Sequence, residues 1–316
     1  MIIGIPKGLL YYKYYPFFES FFKALDCKLI ISNDTNKKIL NLGIKYCVDE
    51  ACLPIKVFHG HVAEIKDNCD FILIPRIMSI HEGEYICPKF CGLPEMIFND
   101  IPNMPNMLSA PIYATSKNNL YKWAIKTGSV ITNNRFRIKK AFLAALNEQK
   151  KFPCGIKNNS YPLRIALVGH PYNVYDSFVN MNLVKKLNSL GVGIITEEFV
   201  PSKYIDKEIK ILFKKPFWSF ARQSYGSSVY LAHAKTIDGI IYLSSFACGI
   251  DSIVVELIKE HIYDTPMLVL KIDEQTGEAG FNTRIEAFVD MLERRTQHEN
   301  NLSSFGEYLL SKQSTV

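Results

Sequence analysis

Leu163-Arg164-Ile165-Ala166-Leu167-Val168-Gly169-His170-Pro171-Tyr172-Asn173 is the stretch on which the fold turns. Residues 163–168 are apolar apart from Arg164 and do not alternate, which reads as a strand buried on both faces, the habit of parallel sheets. Gly169 and Pro171 then stop it, and His170 stands at its carboxyl end. Downstream, helical spacing over 178–190, 218–234, 253–260 and 285–294 alternates with apolar runs at 193–196, 239–243 and 267–272. Strands alternating with helices imply a parallel sheet covered on both faces.

Upstream, residues 150–162 contain Pro153, Gly155, Asn158, Asn159 and Pro162 and read as a linker. The N-terminal half repeats the alternation: strands at 2–5, 28–31 and 71–74, and helices at 14–25, 53–65, 118–126 and 135–149. Asn33-Asp34-Thr35 reads as the cap of a further helix over 37–42. Residues 76–111, rich in Gly, Pro and Asn, are too long for an idle connection and read as functional. The expectation is an α/β protein of two flavodoxin-like or Rossmann-like domains with mainly parallel sheets: 1–155, carrying Cys52 and Cys87, and 156–316, carrying Cys248. Ligands of such sheets gather beyond the carboxyl ends of the strands. A cleft faced by both sets of ends is therefore the expected site.

At 316 residues with 48% hydrophobic and 22% charged residues, the chain has enough apolar surface for two cores. Its net charge of +6 is dispersed. The basic run Arg135-Phe136-Arg137-Ile138-Lys139-Lys140 has apolar residues at helical spacing and reads as a solvated helix face, not a nucleic-acid patch. The start, Met1-Ile2-Ile3-Gly4-Ile5-Pro6, lacks a charged leader region, and no apolar run approaches membrane-spanning length. The expected location is the cytoplasm, where thiols stay reduced.

Eight cysteines in such a chain then ask for metal or redox chemistry. Cys52, Cys87 and Cys248 stand in polar or proline-marked turns beside strand ends, where three thiolates from distant segments could share a metal cluster. Packing as small buried hydrophobes is the alternative. Cys91 and Cys47 are either further ligands or packing residues. His59 and His61, two apart on one helix, face different ways and do not share a metal. Gly249, after Cys248, lets backbone approach a ligand, and the helix it opens favours negative charge at its start. His170 and Glu278 are candidate proton or hydrogen-bond groups, with Arg284 orienting them. Neither a GxxxxGK[ST] phosphate loop nor a GxGxxG turn opening a helix is present, so ATP hydrolysis is not expected of this chain.

Ile5-Pro6-Lys7-Gly8-Leu9-Leu10, Asp49-Glu50-Ala51-Cys52-Leu53-Pro54, Cys87-Pro88-Lys89, Gly169-His170-Pro171-Tyr172-Asn173, Cys248-Gly249-Ile250-Asp251-Ser252 and Thr276-Gly277-Glu278-Ala279-Gly280 together resemble the acyl-CoA dehydratase activase-related proteins. That group is similar to the cluster-bearing subunits of 2-hydroxyacyl-CoA dehydratases and to double-cubane cluster proteins. The resemblance implies two flavodoxin-like domains with an iron–sulfur cluster, 4Fe–4S or a larger derivative, between them. It implies Cys52, Cys87 and Cys248 as ligands, oxygen sensitivity, and reduction by a separate ATP-dependent activase. An acyl-CoA is the substrate class that follows, and assembly with itself or a partner is compatible with it. A non-catalytic cluster carrier or scaffold is the rival reading, and a cluster-free small-molecule binder a third.

Overall fold

The computed structural model of the protein describes residues 1–300. In chain order its elements are β1 (Ile2–Ile5), α1 (Tyr11–Lys23), β2 (Lys28–Ile31), α2 (Lys37–Tyr46), α3 (Leu53–Ile65), β3 (Phe71–Leu73), β4 (Arg76–Ser79), α4 (Pro88–Cys91), α5 (Leu93–Asp100), β5 (Asn106–Leu108), β6 (Pro111–Tyr113), α6 (Lys117–Gly128) and α7 (Arg135–Lys151). The second half holds β7 (Leu163–Gly169), α8 (Pro171–Val174), α9 (Leu183–Ser189), β8 (Val192–Thr196), α10 (Ser202–Ile209), α11 (Ser219–His233), β9 (Gly239–Ser245), α12 (Gly249–His261), β10 (Met267–Ile272) and α13 (Glu278–Asn300).

Each half contains a four-stranded, all-parallel sheet, ordered β2-β1-β3-β5 in the first and β10-β9-β7-β8 in the second. Counted within its own half, each runs 2-1-3-4, the flavodoxin-like order with its topological switch between the first and third strands. In the second half the switch lies between β7 and β9. The strands that leave it deliver His170 and Cys248.

Some expected elements change on folding. The helix expected from 178 begins only at Leu183: the Asp176 carboxylate accepts from the backbone N–H groups of Phe178 and Val179, and Met181 and Asn182 turn left-handed. The cap of α2 is Asn36, whose side chain accepts from the Ile39 N–H, because Thr35 is turned to other partners. The 76–111 stretch holds β4, α4, α5 and β5, with β4 pairing in parallel with β6. Residues 156–158 lie along β8, bridged at Lys157 and Ile195. Among the described residues no helix is long and apolar enough to cross a membrane.

Helix α3 is buried nearly all round, Lys56, His59 and His61 included, the position of a helix packed on every side. Ile55, Phe58, Val62 and Ile65 belong to the core of the first sheet, whereas Leu53 and Val57 join Leu40 in the core of the second. Truncating Leu53 to alanine should therefore cost about 2–5 kcal/mol. Polar ties reinforce the junction. Tyr12 donates to Asp176, Lys13 meets Glu198, and Lys56 of α3 pairs with Glu274 beyond β10. The exits of β1 and β2 thus face those of β7 and β8.

Helices α2 and α3 cross at two glycines. A Cβ on Gly60 would lie 1.9 Å from the Ile39 carbonyl oxygen, and one on Gly43 the same distance from that of Lys56. The obstacle is backbone on both sides, so Gly60→Ala should cost at least about 2–3 kcal/mol. Chemical denaturation at unchanged m-value is the measurement; a loss under about 0.5 kcal/mol would contradict so close a crossing.

Candidate functional site

Cys52 caps α3, with Pro54 pre-set for its first turn, and Cys248 caps α12. Each of these helices is 13 residues long, so two substantial positive dipole ends begin at thiols. Cys87 and His170 precede the single turns α4 and α8, each opened by proline. Residues before proline avoid helical geometry, which accounts for Cys87 and His170. Cys52, before Leu53, and Cys248, before Gly249, hold extended backbone as the N-cap residues of their helices.

Gly169 carries His170 to its place. Its φ of +146° is open to glycine, and a Cβ there would stand 2.3 Å from the carbonyl oxygen of Leu243 on β9. On the neighbouring strand exit, Ala247 takes a left-handed φ of 61° before Cys248. For alanine that backbone costs about 1–2 kcal/mol, strain held by the tight turn that aims Cys248.

The structure brings the three sequence-predicted cysteines and His170 into one neighbourhood. The charges of Cys52, His170 and Cys248 all act on Cys87, and those of Cys52, Asp251, Cys87 and Cys248 all act on Tyr172. Cys248 Sγ lies 3.8 Å from His170 Nε2. Burial pushes the Cys87 thiol above its ordinary value, Cys52 adding to the effect and His170 opposing it. The Tyr172 hydroxyl is held well above its ordinary range by burial and then by the same thiols.

Asp251 organises this group. Its carboxylate accepts from Tyr242 Oη and Ser244 Oγ, each at 2.8 Å, and lies 2.9 Å from His170 Nε2. Burial works against charge on both partners, yet Asp251 holds His170 well above the ordinary imidazole value, and His170 holds Asp251 below that of a carboxylate. The pair is an imidazolium–carboxylate ion pair, 3% and 2% exposed at its side chains. Tyr172 stacks on the ring and Phe220 meets it edge-on. His170 Nδ1 and Asn173 Nδ2 are buried with no partner among the described residues. Buried donors of this kind call for an acceptor. Three soft thiols beside donors without acceptors fit an anionic iron–sulfur group.

The other expected residues divide. Arg284 donates to the Val269 carbonyl and lines a cavity of about 350 Å³ with Cys248, Asp251, Lys259 and Lys271. Gly249 has open space where a Cβ would stand. Glu278 sits in the exposed first turn of α13, paired with Lys186 at 2.7 Å, and none of its contacts reaches the cysteines. Cys91 closes the single turn begun by Cys87 and is partly exposed. Cys47 lies instead beside His59 and Asp100, and burial and then Asp100 push its thiol up to about 11. His59 and His61 part as their spacing requires: His59 turns to Ile55 and Asp100, His61 to Ser32 and Thr35.

Tyr172 and the ion-pair role of Asp251 escaped the sequence reading. Asp251 lies three residues past Cys248, where a cap explains it equally well, and only the β7–β9 adjacency supplies His170. The signal for Tyr172 was an aromatic one residue after a strand-ending His-Pro.

Comparison with known families then gives two matches. The model for the CoA enzyme activase uncharacterised domain matches residues 2–200, well over half of the chain, and includes Cys52, Cys87 and His170. That for the 2-hydroxyglutaryl-CoA dehydratase D-component matches residues 119–292, again more than half, and includes His170, Cys248 and Asp251. A comparison with curated protein sequences gave no match. The two family matches overlap across the first strand of the second sheet and between them cover the whole cysteine–histidine group; the chain belongs to the CoA enzyme activase uncharacterised domain family and is a 2-hydroxyacyl-CoA dehydratase-like component.

Proposed function

We propose that this chain is an iron–sulfur protein whose cluster is held by Cys52, Cys87 and Cys248, reduced by a separate ATP-dependent activase, and that it passes low-potential electrons to a bound acyl-CoA. The observation that carries the reading is that three thiols from segments far apart in sequence lie close enough for their charges to act on one another and on Tyr172, with Cys248 beside His170. Held by three protein thiolates, a 4Fe–4S cluster would supply one-electron reducing power. The protein's own groups do the rest. The starts of α3 and α12 offset negative charge at Cys52 and Cys248. His170, kept charged by Asp251, presents an Nδ1 proton that no protein acceptor takes. Tyr172 keeps its hydroxyl proton, and its ring with Phe220 shields the imidazolium from water. Lys271 and Arg284, beside a Lys259 that is paired with Glu256, put positive charge on the cavity next to Cys248, suited to an anionic substrate. Glu278 would serve only by leaving Lys186. A carrier that merely docks an activase has no use for a cavity next to Cys248, which favours the reading with substrate.

Purification without oxygen, followed by iron and acid-labile sulfide analysis, tests the proposal. The expected result is a coloured protein with iron and sulfide in equal amounts, oxygen-sensitive, and depleted of most of both by Cys52→Ser, Cys87→Ser or Cys248→Ser. Absence of iron, sulfide and charge-transfer absorption after anaerobic reconstitution would overturn it, as would a full cluster content in all three serine variants.

A further inference from the structure

A second group of ligating side chains lies where three helices of the first half meet. Cys47 caps the C-terminus of α2, His59 sits in the middle of α3, and Asp100 ends α5. One ligand atom from each lies within 4.8 Å of the other two. Cys47 and His59 are buried, while the Asp100 side chain is 22% exposed.

The hydrogen bonding of His59 is the decisive detail. Its Nδ1 is 2.8 Å from the Ile55 carbonyl oxygen, which can only accept, so Nδ1 carries a hydrogen. A neutral ring then has a bare lone pair at Nε2, and the atom facing it at 3.0 Å is Asp100 Oδ2, another acceptor. Two lone pairs at that separation need a positive centre between them: a proton or a metal ion. A backbone carbonyl on one imidazole nitrogen is also the usual way a metal-binding histidine is oriented. A proton would have no use for sulfur. The Cys47 thiol, within reach of both groups, makes a set of one nitrogen, one sulfur and one oxygen, which suits zinc. Bonds of about 2.0–2.3 Å would draw the three atoms together by modest side-chain movement.

We infer that Cys47, His59 and Asp100 bind a zinc-class divalent cation, with water from the exposed Asp100 side as the fourth ligand. Binding breaks the Cys47 S–H bond, forms the sulfur–metal bond and releases the proton to solvent; the imidazole stays neutral. Cys47 ends α2 and His59 lies on α3, so the ion ties the end of α2 to the helix that Cys52 caps. The inference stands apart from the iron–sulfur reading, because it uses none of Cys52, Cys87 and Cys248.

The test is a cobalt titration of the full chain carrying Cys52→Ser, Cys87→Ser and Cys248→Ser, stripped with chelator. One cobalt per chain should bind with a thiolate-to-metal charge-transfer band and tetrahedral ligand-field bands, and zinc should displace it. Adding Cys47→Ser should abolish the charge-transfer band, and Asp100→Asn should weaken cobalt binding by about tenfold or more. No stoichiometric cobalt, or a charge-transfer band that survives Cys47→Ser, overturns the inference. If circular dichroism shows that the serine background does not fold, the wild-type chain is titrated with and without Asp100→Asn. One cation held at least about tenfold more weakly in the variant supports the site, and unchanged stoichiometry together with unchanged affinity overturns it.

Discussion

Asp251→Asn is expected to lower folding stability by about 3–5 kcal/mol, the cost of leaving one member of a buried ion pair alone. The change keeps the size of the side chain, so packing is hardly disturbed. What it removes is the charge that balances His170, and it turns an N–H group toward one or other of the donors now served by Oδ1 and Oδ2: Tyr242 Oη, Ser244 Oγ and His170 Nε2. Replacing both partners, Asp251→Leu with His170→Leu, should cost less than Asp251→Asn alone, because no charge is then stranded. Denaturant unfolding of the cluster-free protein measures both. A penalty below about 1 kcal/mol for Asp251→Asn would mean that His170 is neutral and that the charged pair does not exist. The proposed function adds a second readout: the double-leucine chain folds, yet loses the imidazolium beside Cys248 and with it iron retention.

Glu197→Gln should work the other way and stabilise the protein at alkaline pH. Glu197 follows β8, fully enclosed, and accepts from Ser224 Oγ at 3.2 Å. Burial, with the neighbouring charge of Glu198, pushes its carboxyl up to about 8 from an ordinary 4.5. Between those two values the folded chain holds a proton that the unfolded chain has released. Stability therefore falls as pH rises from about 4.5 to about 8, and levels off beyond, where both states are ionised. The accumulated loss is on the order of a few kcal/mol. Glutamine keeps the acceptor for Ser224 and never ionises, so the variant should melt several degrees above wild type at pH 8 and about level with it at pH 5. Melting curves over pH 5–9 decide the matter. Parallel profiles for the two proteins would show that Glu197 is ionised in the fold at no cost.

The legibility of this chain followed the range of the forces involved. Strands 2–5 and 163–168 could be read because a doubly buried parallel strand is a short apolar run closed by Gly, Pro or a polar turn. The 28–31 and 267–272 strands, at sheet edges and only partly buried, carry the same short apolar run, and each such cue is local. Helix 53–65 was legible from its spacing, but not its place between two cores, since burial on every face leaves little amphipathic contrast. The helix expected from 178 was shortened by a carboxylate, Asp176, that also reaches Tyr12 and Thr35 in the other half. No local propensity reports such a contact.

By itself, the sequence determined the α/β alternation, the halves in which the cysteines fall, and the proline and glycine turns that put Cys52, Cys87, His170 and Cys248 ahead of helical turns. These are properties of backbone sterics and of apolar periodicity over a few residues, and they hold whatever lies across the molecule. Only the tertiary structure decided that β7 neighbours β9, so that His170 meets Asp251 and Cys248, that Glu278 pairs with Lys186, and that Cys47 sits with His59 and Asp100. Ion pairs and shared ligands join residues by distance through space, and strand order sets that distance.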